Sequence, residues 1–224
     1  MPVKIVLCIL VGYLCGTISN GYLVGKLHHL DIRNYGSGNA GATNATRTLG
    51  KKVGLLVLLG DLLKVMIPAC VVHYIVFAGE DYATLLGEIT GFAGVLGHNY
   101  PFWMKFKGGK GISSTGGAML ATDWRYALFI PVFILLIVIT KYVSVGSMFV
   151  IFLYPVFLAI TRYGEPYYGA MVLVACLFTA SGVFTHRENI KRLCNGTERK
   201  FGQRVAVPAD HSNEEKETES CSEK

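Results

Sequence analysis

The sequence predicts an all-α integral membrane protein of about seven transmembrane helices, with its N-terminus outside and its C-terminus in the cytoplasm. Three observations carry that expectation. Of 224 residues, 52% are hydrophobic and only 16% charged, whereas a soluble globule carries about a quarter charged. The apolar residues come in long blocks. The cations between those blocks fall mostly on one side of an alternating arrangement.

A bilayer core is crossed by about 20 apolar residues in a helix, which satisfies its own backbone hydrogen bonds. Residues 3–25 form the first such block. It is too long for a signal-peptide core and carries a single early cation, Lys4, so it reads as a retained span. Residues 53–78 form the second. The next two blocks, 84–96 and 112–122, are short and rich in small residues. They are poor lone spans, but small residues let helices approach closely. Residues 126–140, 143–160 and 168–185 complete the set.

With all seven counted, residues 26–52, 98–111, Lys141 and everything from His186 share one side, which holds 17 of the 21 Lys and Arg. The other side has Lys4, Arg125 and Arg162, and Lys64 lies within a span. The positive-inside rule makes the first side cytoplasmic. Omitting 112–122 alone would put Lys141 and the basic C-terminal region outside, which is why that short segment is counted. Residues 1–206 are expected to form one membrane domain, and the acidic tail 207–224 to be disordered.

The net charge of +6 would suggest nucleic acid in a soluble protein. Here the charges lie between membrane blocks, so no nucleic-acid partner is expected, and the bilayer is. Six cysteines are scattered without CxxC or Cys/His ligand spacing, so neither disulfide nor metal is expected. Asp61 and Lys64, at i and i+3 within a span, are expected to neutralise each other. The sequence leaves the oligomeric state open.

Three polar segments share the basic side. The first, 31–47, packs Ser37, Asn39, Gly41, Thr43, Asn44 and Arg47 into one loop. Glycine permits tight turns and close backbone approach, exposed N–H groups form anion nests, and an arginine forks onto phosphate. The second, 97–111, contains His98, Lys105, Lys107, Gly108, Gly109, Lys110 and Gly111 and runs into a predicted helix N-terminus at Ile112, which favours anions. It is not a Walker A loop, because Lys110 is followed by Gly111 and the glycine required five residues earlier is Lys105. Its Phe102, Trp103, Met104 and Phe106 are of the interfacial kind. The third, 186–198, places His186 and Asn189 at i and i+3 on one face of a continuing helix. Its Lys191 and Arg192 also suit anionic headgroups. Together these segments predict one composite, phosphate-handling site. A membrane transporter of a phosphorylated solute is the alternative.

The segments Gly36-Ser37-Gly38-Asn39 with Gly41-Ala42-Thr43-Asn44 and Arg47 resemble the first motif of the bacterial acyl-phosphate:glycerol-3-phosphate acyltransferases. Gly97-His98, Pro101 and Lys105 to Gly111 resemble the second, and His186-Arg187-Glu188-Asn189 through Glu198 the third. The likeness covers roughly the first 200 residues, with Ser19 and Asn20 departing from the usual pattern. It implies a seven-helix enzyme of the bacterial cytoplasmic membrane that moves an acyl chain from acyl phosphate to the 1-hydroxyl of sn-glycerol 3-phosphate. The products would be 1-acylglycerol 3-phosphate and phosphate. The second motif's glycine loop would bind glycerol 3-phosphate.

On this reading Ser37, Arg47, Lys107, Lys110, His186 and Asn189 bind phosphate and form the catalytic set. Ser37, Thr43 and backbone amides near Gly41 and Gly109 are candidate oxyanion donors. Acyl phosphate is already activated, so no cofactor is expected. The proton of the attacking hydroxyl goes to the donor's own phosphate or, alternatively, to His98 or His186.

Overall fold

The computed structural model describes residues 1–206; the expected acidic tail, 207–224, lies outside the described residues. In chain order the helices are α1 (Pro2–Gly16), α2 (Asn20–Leu27), α3 (Ala42–Leu49), α4 (Lys51–Val71), α5 (Ala83–Asn99), α6 (Ile112–Thr122), α7 (Phe129–Thr140), α8 (Val143–Thr161), α9 (Tyr168–Thr185) and α10 (Arg187–Cys194). A π-helical turn, Val72–Val76, extends α4, and a 3-10 turn, Trp124–Leu128, leads into α7. No strand occurs among the described residues.

Among the described residues, four stretches are long and apolar enough to cross a membrane: Pro2–Leu27, Lys51–Val76, Val143–Thr161 and Tyr168–Thr185. Trp124–Thr140 is apolar but shorter. α5 runs 17 residues, longer than the expected block 84–96, and α6 runs 11.

Two expectations need correction. The first block is not one continuous helix, because the chain breaks between α1 and α2. The Thr17 hydroxyl donates to the Leu14 carbonyl at 2.7 Å, and Ser19 is extended. The carbonyls released there are used elsewhere: Thr17 O accepts from Trp103 Nε1 at 3.0 Å and Ile18 O from the Lys64 ammonium. No proline marks the break, so hydropathy is blind to it. The segment 31–47 is likewise not all loop, since α3 begins at Ala42.

α5 is the hub of the bundle, packing against α1, α4, α6 and α9. Against α1 the contact is backbone to backbone. A Cβ at Gly12 would strike the Thr90 carbonyl, and one at Gly16 the Gly94 carbonyl. Within a bilayer such close van der Waals contact replaces the hydrophobic drive between helices. Around α8 and α9 an aromatic core forms, with Tyr154 edge-on to Phe178 at 5.2 Å and to Tyr126 at 5.2 Å.

The two ends of the bundle differ in chemistry. At one end Lys4 bonds Tyr82, and Arg162 pairs with Asp123 at 3.3 Å and Glu165 at 3.2 Å. At the other end the C-termini of α5, α7 and α9 meet the N-termini of α3, α6 and α8 around one cavity.

Candidate active site

The first loop is organised by Asn44. Its Nδ2 donates to the carbonyls of Ile32 at 2.8 Å and Tyr35 at 3.1 Å. Its Oδ1 accepts from the Ser37 N–H at 2.8 Å and hydroxyl at 3.1 Å. All of that capacity goes into folding the loop, so Asn44 positions Ser37 instead of offering its amide to a ligand. Gly36, at φ +61°, makes the turn beneath it. Asn39 Oδ1 accepts the Gly41 N–H at 2.9 Å, which removes that amide from the candidate oxyanion donors. What remains is the first turn of α3, whose Ala42 and Thr43 N–H groups have no intrahelical acceptor and line the cavity.

Arg47, one turn further along α3, is buried. Its hydrogen bond is a long one, 3.4 Å to the Arg199 carbonyl, and its Nε has no partner among the described residues. Burial lowers its pKa, with Arg199 and Arg192 adding to the effect and Glu198 opposing it. A guanidinium remains charged through such shifts, so this is a desolvated fork with donors to spare.

The second loop folds back on the end of α5. The Gly108 N–H donates to the Asn99 carbonyl and that of Gly109 to the His98 carbonyl, both at 3.0 Å. The glycines allow the approach: a Cβ on Gly108 would strike the His98 carbonyl, and one on Gly109 the His98 ring. The expected anion cradle of Gly108 and Gly109 amides is therefore a helix cap. Gly109 drops out as an oxyanion donor for the same reason. Gly111, at φ +82°, turns the chain into α6. Lys107, expected among the phosphate-binding residues, is exposed and lies outside the cavity. Lys110 enters it. Burial brings the Lys110 ammonium down to about 8, with Arg192, Arg47 and Arg199 adding to the effect and Glu198 opposing it.

The third segment is not a continuation of the last span. α9 stops at Thr185, and α10 starts anew after His186. His186 Nδ1–H donates to the Gly182 carbonyl at 2.9 Å, leaving Nε2 as its acceptor edge. Burial, with Lys110 adding, holds its pKa down at about 4. Asn189 accepts from the Lys110 ammonium and donates to Glu198 Oε1 at 2.7 Å. Glu198 also accepts from Ser144 at 3.2 Å and pairs with Arg192 at 2.8 Å.

These groups line one cavity of about 560 Å³. It gathers Ser37, Asn39, Gly41, Thr43, Asn44 and Arg47 from the first segment, His98, Lys110 and Gly111 from the second, and His186 and Asn189 from the third. Lys107, Gly108 and Gly109 do not line it. Sequence reasoning missed Glu198, Ser144, Ser147 and Asp61. The two serines at i and i+3 on the first turn of α8 were a readable signal; Glu198 stood in the third motif without an assigned role. The cavity also has an apolar wall, Leu55 and Leu58 of α4 facing Phe133, Ile134, Ile137 and Val138 of α7. Leu55, Ile134 and Val138 are each more than half exposed, so this wall opens at the bundle's apolar flank.

Comparison with known proteins gives this arrangement a family. The family model described as glycerol-3-phosphate acyltransferase matches residues 6–196. The chain belongs to the glycerol-3-phosphate acyltransferase family. The acyltransferase is 44% identical over 197 residues to a glycerol-3-phosphate acyltransferase of Clostridioides difficile, covering 87% of this chain and 94% of the relative. It is 40% identical over 193 residues to glycerol-3-phosphate acyltransferase 2 of Thermotoga maritima, covering 85% and 93%.

Among solved structures it resembles PlsY (YgiH), an integral membrane glycerol 3-phosphate acyltransferase, in its glycerol 3-phosphate form. The TM-score is 0.80 at 38% identity, with 88% of this chain and 96% of that one covered. The lysophosphatidic acid form of PlsY matches with a TM-score of 0.77 at 36% identity, covering 89% and 96%. The chain is thus an integral membrane acyltransferase of phospholipid biosynthesis, and the transporter alternative gives way to an enzyme.

Proposed function

We propose that this acyltransferase moves an acyl chain from acyl phosphate to the 1-hydroxyl of sn-glycerol 3-phosphate, releasing 1-acylglycerol 3-phosphate (lysophosphatidic acid) and inorganic phosphate. The observation that carries this reading is the union, in one cavity, of a desolvated cationic end with an apolar wall open to the flank. Arg47, Lys110 and His186 with Asn189 suit two phosphates, and the α4–α7 wall suits an acyl chain. The helix N-termini at Ala42 and Ile112 add anion-directed N–H groups.

In the proposed reaction the C1 hydroxyl oxygen attacks the acyl carbonyl carbon. The tetrahedral intermediate collapses by breaking the bond between that carbon and the bridging phosphate oxygen, and phosphate departs. The hydroxyl proton passes to an oxygen of the leaving phosphate. A phosphate monoester has its second pKa near about 6, whereas His186 is held at about 4, which makes the phosphate the stronger base. The protein's part is to position both substrates and stabilise charge. The N–H groups of the first turns of α3 and α6 are the oxyanion donors this reading favours, since both donors of Ser37 go to Asn44 Oδ1.

The same proposal places the chain in the bacterial cytoplasmic membrane with seven crossings, its N-terminus outside and its active site on the cytoplasmic face. The side bearing the cavity also bears most of the cations. The test uses purified protein, labelled glycerol 3-phosphate, and palmitoyl phosphate or palmitoyl-CoA in separate reactions. Labelled lysophosphatidic acid with acyl phosphate alone is the expected result. Product only with the thioester would overturn the donor assignment.

A further inference from the structure

Beyond Glu198 the chain continues along the rim of the cavity, and the acyl-transfer chemistry above gives residues 199–205 no task. On one side the Phe201 N–H donates to the Lys141 carbonyl at 2.7 Å. On the other the Val205 N–H donates to the Arg47 carbonyl at 3.1 Å. The Arg199 carbonyl accepts from Arg47 Nη2 at 3.4 Å. Lys141 ends α7 and Arg47 belongs to α3, and both line the cavity. The segment is therefore tied to two walls built from different elements.

Between its ties the segment makes a local turn. Gly202 sits at φ +85°, a backbone that favours glycine, and the Lys200 N–H donates to Gln203 Oε1 at 3.0 Å. Val205 lies against the turn beneath Ser37, since a Cβ on Gly36 would be 3.7 Å from Val205 Cγ2. Phe201 lines the cavity and is still 53% exposed, so it stands at the boundary between the cavity and the exterior. Anchoring this part of the chain is already done by Glu198, through Ser144, Asn189 and Arg192. The ties to both walls and the apolar side chain between them go beyond anchoring.

An acyl phosphate is a mixed anhydride that water can also cleave. Water attack on the acyl carbon breaks the same bond to the bridging phosphate oxygen. The water's hydroxyl stays on the acyl carbon as free fatty acid, and its other proton leaves with the phosphate. Water outnumbers any dissolved acceptor, so selective transfer requires that it be kept from the reacting carbon.

We propose that residues 199–205 form a strap across the polar mouth of the cavity, with Phe201 as its apolar plug, and that this strap makes the enzyme select the glycerol hydroxyl over water. Its residues determine specificity and take no part in making or breaking bonds. The proposal rests on the acyl-transfer reading.

Two measurements test it. The first is hydrogen–deuterium exchange, resolved to single amides, on wild-type full-length protein in micelles. The Phe201 and Val205 amides should exchange at least about tenfold more slowly than in a free peptide of residues 199–206. Exchange at the free-peptide rate overturns the strap.

The second follows labelled palmitoyl phosphate with glycerol 3-phosphate present, and reads the ratio of free fatty acid to lysophosphatidic acid after subtracting hydrolysis without protein. Val205→Pro removes the N–H that ties the strap to α3. It should raise the ratio about fivefold, the change in an open–closed balance that one lost hydrogen bond produces. Phe201→Ala removes the plug and leaves every backbone tie in place, and it should raise the ratio too. If Val205→Pro does not fold, Phe201→Ala carries the comparison. Damage to the fold alone lowers transfer and hydrolysis together, so an unchanged ratio in a variant that still transfers overturns the proposal. If wild-type protein transfers no acyl group from acyl phosphate, the function reading fails, while the exchange rates still report whether the strap is closed.

Discussion

Glu198 sets the orientation of Asn189. A carboxylate only accepts, so the Asn189 NH2 group must face Glu198 Oε1, 2.7 Å away. The amide oxygen is thereby turned to the Lys110 ammonium. Glu198 is itself pinned by Arg192 and Ser144, so one acid ties α8, α10 and the segment beyond it to Lys110 at the cationic end of the cavity. Glu198→Gln can donate as well as accept and releases that constraint. A hydrogen bond to a charged group is worth about 1.5–3 kcal/mol. kcat/KM for glycerol 3-phosphate should therefore fall about ten- to a hundredfold. A Gln variant within twofold of wild type would show that Asn189 needs no such orientation.

Arg47 should be intolerant of lysine. Its Nε, without a partner among the described residues, and its lightly used Nη2 match a planar, two-pronged contact with phosphate, which an ammonium cannot make. Arg47→Lys is expected to lose about tenfold in kcat/KM and Arg47→Ala at least about a hundredfold. Steady-state kinetics with each substrate varied in turn would reveal which phosphate it holds.

Lys110 predicts a pH dependence with a definite sign. Its pKa is lowered to about 8 from 10.5, so the charge that attracts phosphate is present below about 8 and lost above it. The apparent KM for the phosphate that it contacts should rise as pH climbs through 8. Lys110→Arg should flatten that limb. Stability runs the other way. The unfolded chain holds this proton more tightly, so Lys110 makes the fold gain stability between about 8 and 10.5. Denaturation midpoints of wild type and Lys110→Met across that range would separate the two effects.

Two neighbouring glycines in α6 should respond in opposite ways to alanine. A Cβ on Gly116 meets nothing within 4 Å, so Gly116→Ala should stabilise the helix by about 0.5–1 kcal/mol. A Cβ on Gly117 would run into the Leu62 carbonyl of α4, so Gly117→Ala should separate α6 from α4 and lower the melting temperature. Thermal melts in detergent would distinguish them.

The apolar wall should govern chain length. Ile137 faces the cavity from α7. Ile137→Trp adds bulk there and should lower turnover of long acyl phosphates more than of short ones. An unchanged ratio between palmitoyl and decanoyl phosphate would place the chain elsewhere.

Most helices were legible because hydropathy is local. The block 168–185 coincides with α9, and 112–122 with α6. The break at Thr17–Ser19 was not legible. It depends on partners for the released carbonyls, and Lys64 and Trp103 come from 46 and 86 residues away. Arg47, Lys110, His186 and Asn189, singled out by residue type and motif setting, all line the cavity. Lys107 was not separable from Lys110, because both follow the same glycine-lysine logic and only the direction of the folded loop sends one out and the other in.

The sequence by itself determined that this chain is an integral membrane protein and that its polar, glycine-bearing segments 31–47, 97–111 and 186–198 lie between its apolar blocks. Composition and spacing are properties of the linear chain, and the bilayer reads them directly. Only the tertiary structure decided which donors remain for substrate. Gly41 and Gly109 lose their N–H groups to Asn39 and to the His98 carbonyl, and Asn44 spends its whole amide on the loop. Arg47, by contrast, keeps a buried Nε that has no partner among the described residues. Whether a donor is free depends on what folds against it, and here those partners come from the turns of the first loop and from the end of α5, onto which the second loop folds back.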